Sequence, residues 1–283
     1  MKIELKTSIQ LGLKEYFKVN KNAWNQKVCF DITSDYYNIK GFKDGKNSLY
    51  PLDIQLLGNI KGKRILHLQS YLGLDSISLS RMGAKVTAVD FCTKAINFAQ
   101  SLSKDLDVDT KFICSNIYNI GNLVLEQFDI IYMSYGAICW LPDIDKLIKK
   151  VKTFLKPNGE FVLVDFHPLA ISFDLLREES IKYSYFNQKD IPIEIHRKGT
   201  YADLNAPIET TEFNWNHSID EIINGFTKNN FTINKFNEYP FLPMDGFPNL
   251  ELGNDGYYHV VNSHNKYPLL FSIKAKKNQI LKK

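Results

Sequence analysis

From Arg64 onward, short apolar runs alternate with stretches whose apolar residues recur at helical spacing, which predicts strands and helices in turn. RILHL (64–68) is predicted as a strand, Leu74–Met82 as a helix, KVTAV (85–89) as a strand, Thr93–Leu106 as a helix and TKFIC (110–114) as a strand. FDIIYMS (128–134) follows as a strand, Asp143–Phe154 as a helix and GEFVLVDF (159–166) as a strand, with KPNG (156–159) as the turn before it. Strands that are apolar along their length, with helices between them, imply a parallel sheet covered on both faces.

On either side of this region the rhythm changes. Helical periodicity runs from Ser8 to Cys29, with Leu11, Phe17 and Trp24 among its apolar positions, and a second helix spans Ser48 to Leu57 with Pro51 in its first turn. Between them, YYNIKGFKDGKNS (36–48) reads as a folded-over loop. Residues 167–217 are aromatic and polar without regular spacing, too long for a plain connection, and so are expected to form structure of their own or a binding wall. His217–Thr227 returns to helix, with Ser218 as N-cap and Glu221 completing a capping box. FTINKFNEY (231–239) and YPLLFSIKAK (267–276) read as paired antiparallel strands, and the Gly/Pro-rich FLPMDGFPNLELGNDGYY (241–258) as an excursion between them.

The chain has 283 residues, 44% hydrophobic and 23% charged, which places it among globular chains with a sizeable core. A formal charge of +4 allows an anionic ligand, but the basic residues are scattered and AKKNQILKK at the end reads as a solvated tail, so a nucleic-acid partner is not expected. No stretch is long and apolar enough to cross a membrane. Cys29, Cys92, Cys114 and Cys139 are widely spaced without a CxxC pair and read as buried thiols of a reducing compartment, which points to the cytoplasm. No metal is expected, because His196, His259 and His264 have no local ligand set.

Lys63–Asp90 carries the first chemical signal: an apolar strand, a loop containing Gly73, a helix, and a second apolar strand ending in an acid. That order builds a nucleotide-like site at the carboxyl edge of a parallel sheet. The GxGxxG that lets a backbone approach a pyrophosphate is absent, which counts against a nicotinamide-dependent oxidoreductase. With HLQSYLGLD (67–75), SYGAICWLPD (134–143), VDFHP (164–168) and NWNHS (214–218), the order of elements resembles the class I S-adenosylmethionine-dependent methyltransferases, in a bacterial small-molecule or uncharacterised subgroup.

The resemblance implies a Rossmann-like α/β fold with a seven-stranded, mostly parallel sheet whose last strand is antiparallel. It divides the chain into an N-terminal helical lid (1–59), a cofactor-binding core (60–166), a substrate-facing insertion (167–217), and a closing helix with antiparallel strands (218–283). It implies S-adenosylmethionine as cofactor, released as S-adenosylhomocysteine, with Asp90 on the ribose diol, Phe91 and Ile117 against adenine, and Asn116 at the adenine amino group. In the first loop His67 stands where the family commonly has an acid, and Gln69 and Tyr71 stand where glycines are common; Gly73 remains. Ser134 and Tyr135, followed by Gly136, are expected beside the amino-acid part of the cofactor.

A methyl sulfonium is already electrophilic, so the protein must align the acceptor and manage any proton. His167, at the end of the fifth strand, and His217 are the candidate bases or acceptor contacts. Tyr37, Tyr118, Trp140, Asp165 and Trp215 are the candidate substrate-binding residues, with Trp24 and Tyr36 brought close by the lid. The aromatic insertions suit a small organic acceptor, aromatic or heterocyclic, methylated on oxygen or nitrogen. The other readings are an RNA or protein methyltransferase, a nicotinamide-dependent oxidoreductase, and a non-catalytic S-adenosylmethionine-binding protein.

Overall fold

The computed structural model describes residues 11–177, 180–262 and 266–278. The five apolar runs become β1 (Arg64–Leu68), β2 (Lys85–Asp90), β3 (Thr110–Cys114), β4 (Phe128–Ser134) and β5 (Leu155–Phe166). They are preceded by α1 (Leu13–Asp31), α2 (Ile39–Lys43) and α3 (Pro51–Leu57), and joined through α4 (Leu74–Arg81), α5 (Thr93–Asp105) and α6 (Ile144–Phe154). After β5 come α7 (Pro168–Ser172), β6 (Ile193–Lys198), β7 (Glu209–Asn214), α8 (Ile219–Lys228), β8 (Phe231–Tyr239), β9 (Phe241–Leu242), β10 (Leu250–Leu252), β11 (Tyr258–Val260) and β12 (Leu270–Lys277).

Seven strands form one sheet in the order β3-β2-β1-β4-β5-β12-β8, with β12 antiparallel to both of its neighbours. Both faces are covered, which is why the central strands are apolar throughout: Leu66, Ile131 and Leu163 pack with α6 and α8, while Ile65, Ile130 and Val162 pack with α3. β1 sits between β2 and β4, so the chain order reverses there and a crevice opens at the carboxyl ends of these strands. No helix among the described residues is long and apolar enough to cross a membrane.

Several expectations change in detail. Helix α1 starts at Leu13 and continues past Cys29 to Asp31, and Ser8–Gln10 lie outside the described residues. The loop at 36–48 contains α2, capped by the Asn38 side chain. KPNG is a bulge inside β5: Phe128 pairs with Leu155 but Ile130 pairs with Glu160, and Asn158 takes up the excess in the left-handed region at φ 61°. Residues 167–217 contain α7 and the β6–β7 hairpin, and the 241–258 excursion carries β9, β10 and much of the small sheet they form with β11. The Ser218 hydroxyl does not cap α8; it bonds Asp220 instead, 2.5 Å away. Cys92 is buried, but Cys29 and Cys114 are exposed.

One buried carboxylate fixes the end of the β4–β5 pair. Asp165 Oδ1 accepts the N–H groups of Gly136 (2.5 Å) and Phe166 (2.7 Å), and Oδ2 accepts those of Ala137 and Ile138 (both 2.9 Å). Burial pushes its pKa up and these four donors pull it down. Asp165→Ala strands the N–H groups of residues 136–138 in the interior, at about 1–3 kcal/mol for each unsatisfied group. The expected outcome is a loss of several kcal/mol in denaturant unfolding; a loss within about 0.5 kcal/mol of zero, the level of an ordinary surface substitution, would remove this assignment.

Candidate active site

The loop after β1 departs from the backbone most side chains prefer. Gln69, Tyr71 and Gly73 all have positive φ, at 57°, 44° and 75°. At Gly73 the reason is space as well as angle, since a Cβ would lie 2.6 Å from the Phe112 ring and 2.7 Å from Ala99 Cβ. Tyr71 is held in place at both ends: its N–H donates to Asp90 Oδ2 at 2.9 Å and its hydroxyl to Asp31 Oδ2 at 2.6 Å. The other oxygen of Asp90 accepts the Cys92 N–H at 2.7 Å. Burial pushes Asp90 up to about 6, against the pull of these backbone donors. A carboxylate oxygen with one such bond keeps capacity for another.

Two spaces meet at this loop. The larger is a chamber of about 690 Å³ at the carboxyl edge of the sheet, lined by His67, Gln69, Gly73, Asp90, Ser134 and Tyr135 among others. The smaller is a cleft of about 20 Å³, room for one water rather than a purine, between Phe91, Asn116 and Ile117 on the core side and Phe17 and Asn20 of α1 on the other. Gln69, Asp90, Phe91 and Trp140 border both. Gln69 Oε1 is buried without a hydrogen-bond partner, an open acceptor at the junction. Asn116 Oδ1 already accepts the Tyr118 N–H at 2.9 Å.

The chamber's outer wall is aromatic. Trp24 meets the rings of Tyr71, Trp140 and Tyr201 at centroid distances of 4.8, 5.1 and 6.2 Å, and the Tyr37 and Tyr201 hydroxyls touch. Lys27 forms a buried ion pair with Glu212 of β7 and stands 4.6 Å from the Trp24 ring centre. Sequence reading missed Lys27, Tyr201 and Glu212. A signal for Lys27 was present, because Tyr16, Asn20, Ala23, Lys27 and Asp31 form the buried stripe of α1, and polar residues at helical spacing on a buried face need partners.

Other expected site residues make hydrogen bonds within the fold. His167 is not among the residues lining the chamber: it caps α7 by accepting the Leu169 N–H at Nδ1 (3.1 Å), while Nε2 bonds Glu238 (2.9 Å). His217 is buried, with Nε2 donating to the Leu141 carbonyl (2.6 Å) and Nδ1 3.1 Å from Glu221. Asp165 is occupied by backbone N–H groups, and Tyr118 donates its hydroxyl to the Asp143 carbonyl at 3.0 Å. Trp215 is buried against Tyr16 and donates Nε1 to the Lys189 carbonyl at 2.9 Å. His67 does line the chamber, yet burial lowers its pKa to about 3 and Nδ1 bonds Ser76 at 2.7 Å, so the ring is neutral. Among the described residues, no group of three or more His, Cys, Asp or Glu is arranged to hold a metal ion; His264 lies outside them.

Residues 67–163 match the family model described as a methyltransferase domain. A ubiquinone biosynthesis O-methyltransferase of Coxiella burnetii (strain Dugway 5J108-111) is 26% identical over 133 residues, covering 46% of this chain and 56% of that protein. The chain thus matches only about half the length of that curated relative. Among solved structures, a putative S-adenosylmethionine-dependent methyltransferase from Listeria monocytogenes superposes with a TM-score of 0.55 at 17% identity, covering 80% of this chain and 94% of that one. An S-adenosylmethionine-dependent methyltransferase from Clostridium acetobutylicum gives 0.56 at 13% identity, covering 95% and 100%.

The buried acids under the chamber carry a pH dependence. Asp53 accepts the Tyr135 hydroxyl (2.7 Å) and the Tyr50 N–H (2.9 Å), yet burial raises it to about 7; burial also raises Asp31 and Asp75. A carboxyl raised in the folded state holds its proton where the unfolded chain has lost it, so its contribution to stability falls as pH rises from about 4 to about 7. His67, lowered by burial, acts in the opposite sense, so the share of Asp53 must be read as a difference. Relative to the parent, Asp53→Asn should gain stability in denaturant unfolding across about pH 4 to 7 and stay level above. A difference that is constant over that window would contradict the assignment.

Proposed function

We propose that this chain, whose residues 67–163 match a methyltransferase domain and whose sheet has the order that domain calls for, is a class I S-adenosylmethionine-dependent methyltransferase that transfers a methyl group to an oxygen or nitrogen of a small organic acceptor. The observation that carries the reading is the position of Asp90, a strand-end carboxylate with open acceptor capacity on the wall between a narrow cleft and a large aromatic chamber. Such a site suits an elongated ligand with a nucleoside at one end and its reactive group at the other.

The donor set fits that cofactor. Asp90 accepts from the ribose diol, Phe91 and Ile117 flank the base, and Asn116 lies at its edge. Gln69, Ser134 and Tyr135 take the amino-acid end, and the open Gln69 acceptor has no other use in the fold. Entry of the base requires Phe17 and Asn20 to move, which gives the N-terminal segment the part of a lid. When bound, S-adenosylmethionine supplies an electrophilic methyl sulfonium.

The chain's own contribution is alignment and exclusion of water. Tyr37, Trp140, Trp24 and Tyr201 enclose the acceptor on the chamber side. His67 is too weakly basic to take a proton at neutral pH, so it shapes the wall and leaves proton removal to the acceptor's own acidity or to solvent. An oxygen acceptor is favoured by the named activity of the Coxiella burnetii relative. The small-molecule assignment rests on the aromatic lining and the volume of the chamber.

The test is calorimetric titration with S-adenosylmethionine, S-adenosylhomocysteine and, separately, NADH. Selective binding of the sulfur nucleosides is expected, and selective binding of NADH overturns the reading. Asp90→Ala should weaken S-adenosylhomocysteine binding by about tenfold or more, the scale of a lost charge-assisted hydrogen bond. Undiminished affinity in a folded variant removes the ribose assignment.

A further inference from the structure

The chamber has one cationic end that the cofactor reading does not use. Asp174, Leu175 and Leu176 occupy three consecutive left-handed conformations, at φ 50°, 51° and 70°, and carry the chain directly into Arg177. Backbone of this kind persists only where surrounding contacts hold it, and it tends to gather at functional sites. Asp174, Arg177 and Arg197 all line the chamber. Asp174 is already shared, with Arg197 on Oδ1 at 2.6 Å and Lys182 on Oδ2 at 3.2 Å. Among the described residues the Arg177 guanidinium has no carboxylate within ion-pair distance, and it donates to the Asp174 backbone carbonyl at 3.4 Å. Burial and the charge of Arg197 act against its protonated form, with Asp174 and Tyr183 acting for it.

This cation is linked by apolar surface to the reacting end. A Cβ at Gly136 would stand 3.2 Å from the Phe166 ring, the Phe166 and Phe247 rings meet edge to face at 5.2 Å, and the Arg177 guanidinium lies 5.9 Å from the centre of Phe247. Phe166 and Phe247 line the chamber, as do Ile171 and Ile195. A molecule lying along these two rings places one end beside the β4 loop and the other against the guanidinium.

Resting on the methyl-transfer reading, we propose that the acceptor is an organic acid with an apolar body, and that Arg177, assisted by Arg197, binds its carboxylate. A guanidinium offers two parallel N–H donors to a carboxylate, which fixes direction as well as charge. The body lies on Phe166 and Phe247, and the atom to be methylated points to the Tyr135–Gly136 loop.

The experiment uses the full chain saturated with S-adenosylhomocysteine, with 3-phenylpropanoate, its neutral carboxamide and phenyl phosphate as probes. Trp24 and Trp140 line the chamber, so intrinsic fluorescence and calorimetry both read occupancy. The acid should bind about tenfold or more tightly than the amide, and Arg177→Met should abolish that preference while leaving S-adenosylhomocysteine affinity unchanged. Arg177→Lys should restore part of it. Equal affinity for acid and amide, or a preference that survives Arg177→Met, overturns the proposal. Tighter binding of phenyl phosphate overturns the carboxylate assignment. Failure to bind S-adenosylhomocysteine at all defeats the methyl-transfer reading instead, so the two failures are distinct.

Discussion

The carboxylate of Asp165 takes backbone N–H groups from its own strand end and from the segment that leaves β4, and the floor of the chamber depends on that junction. Tyr135 and Gly136 turn through the left-handed region at φ 43° and 77°. Tyr135 is pinned by its N–H on the Val164 carbonyl and its hydroxyl on Asp53, and Gly136 leaves just the room that Phe166 fills. An acid in VLVDF therefore serves the site without touching its contents. It converts a strand end, where donors point into a buried space, into a turn with every nearby N–H satisfied.

The loop after β1 solves the same problem with side chains in place of glycine. A non-glycine residue in the left-handed region costs about 1–2 kcal/mol. At Tyr71 that cost is offset by hydrogen bonds to two buried carboxylates, Asp90 and Asp31, each worth about 1.5–3 kcal/mol where the acceptor is charged. The loop gains a ring for the chamber wall that a glycine could not offer, and Asp90 becomes a structural acceptor for Tyr71 as well as a ligand candidate. Gly73 cannot make the same exchange, because Phe112 and Ala99 occupy the volume a Cβ needs.

What the sequence made legible follows from which physical signals are periodic. The strands from β1 to β5 and the helices between them were readable because burial on two faces leaves unbroken apolar runs. Asp90 was readable because a lone acid ending such a run stands at the carboxyl edge of the sheet. The backbone bonds of His167, His217 and Asp165 were not legible in the sequence, for a common reason. A polar residue at a strand or helix end looks the same in sequence whether it faces a cavity or satisfies backbone groups, and here the backbone claims all three. Arg177 had no signal at all: it lies in a stretch without periodicity, and its meaning comes from the left-handed run before it and the rings beside it.

The seam between α1 and β7 brings these threads together. Asn20 and the backbone of Phe213 exchange two hydrogen bonds, at 2.8 and 2.7 Å, and Lys27 pairs with Glu212 about two turns further along the helix. Tyr16 packs on Phe213 and Trp215, so the seam is apolar at one end and ionic at the end that borders the chamber. A buried ion pair fixes register strongly but adds little net stability, since the separated charges regain their hydration when the seam opens. An apolar seam of the same extent would resist opening in proportion to the area exposed. The helix that supplies Phe17 and Asn20 to the narrow cleft is thus set in one register by polar contacts whose groups find partners in water once the seam opens, the property that the proposed lid calls for.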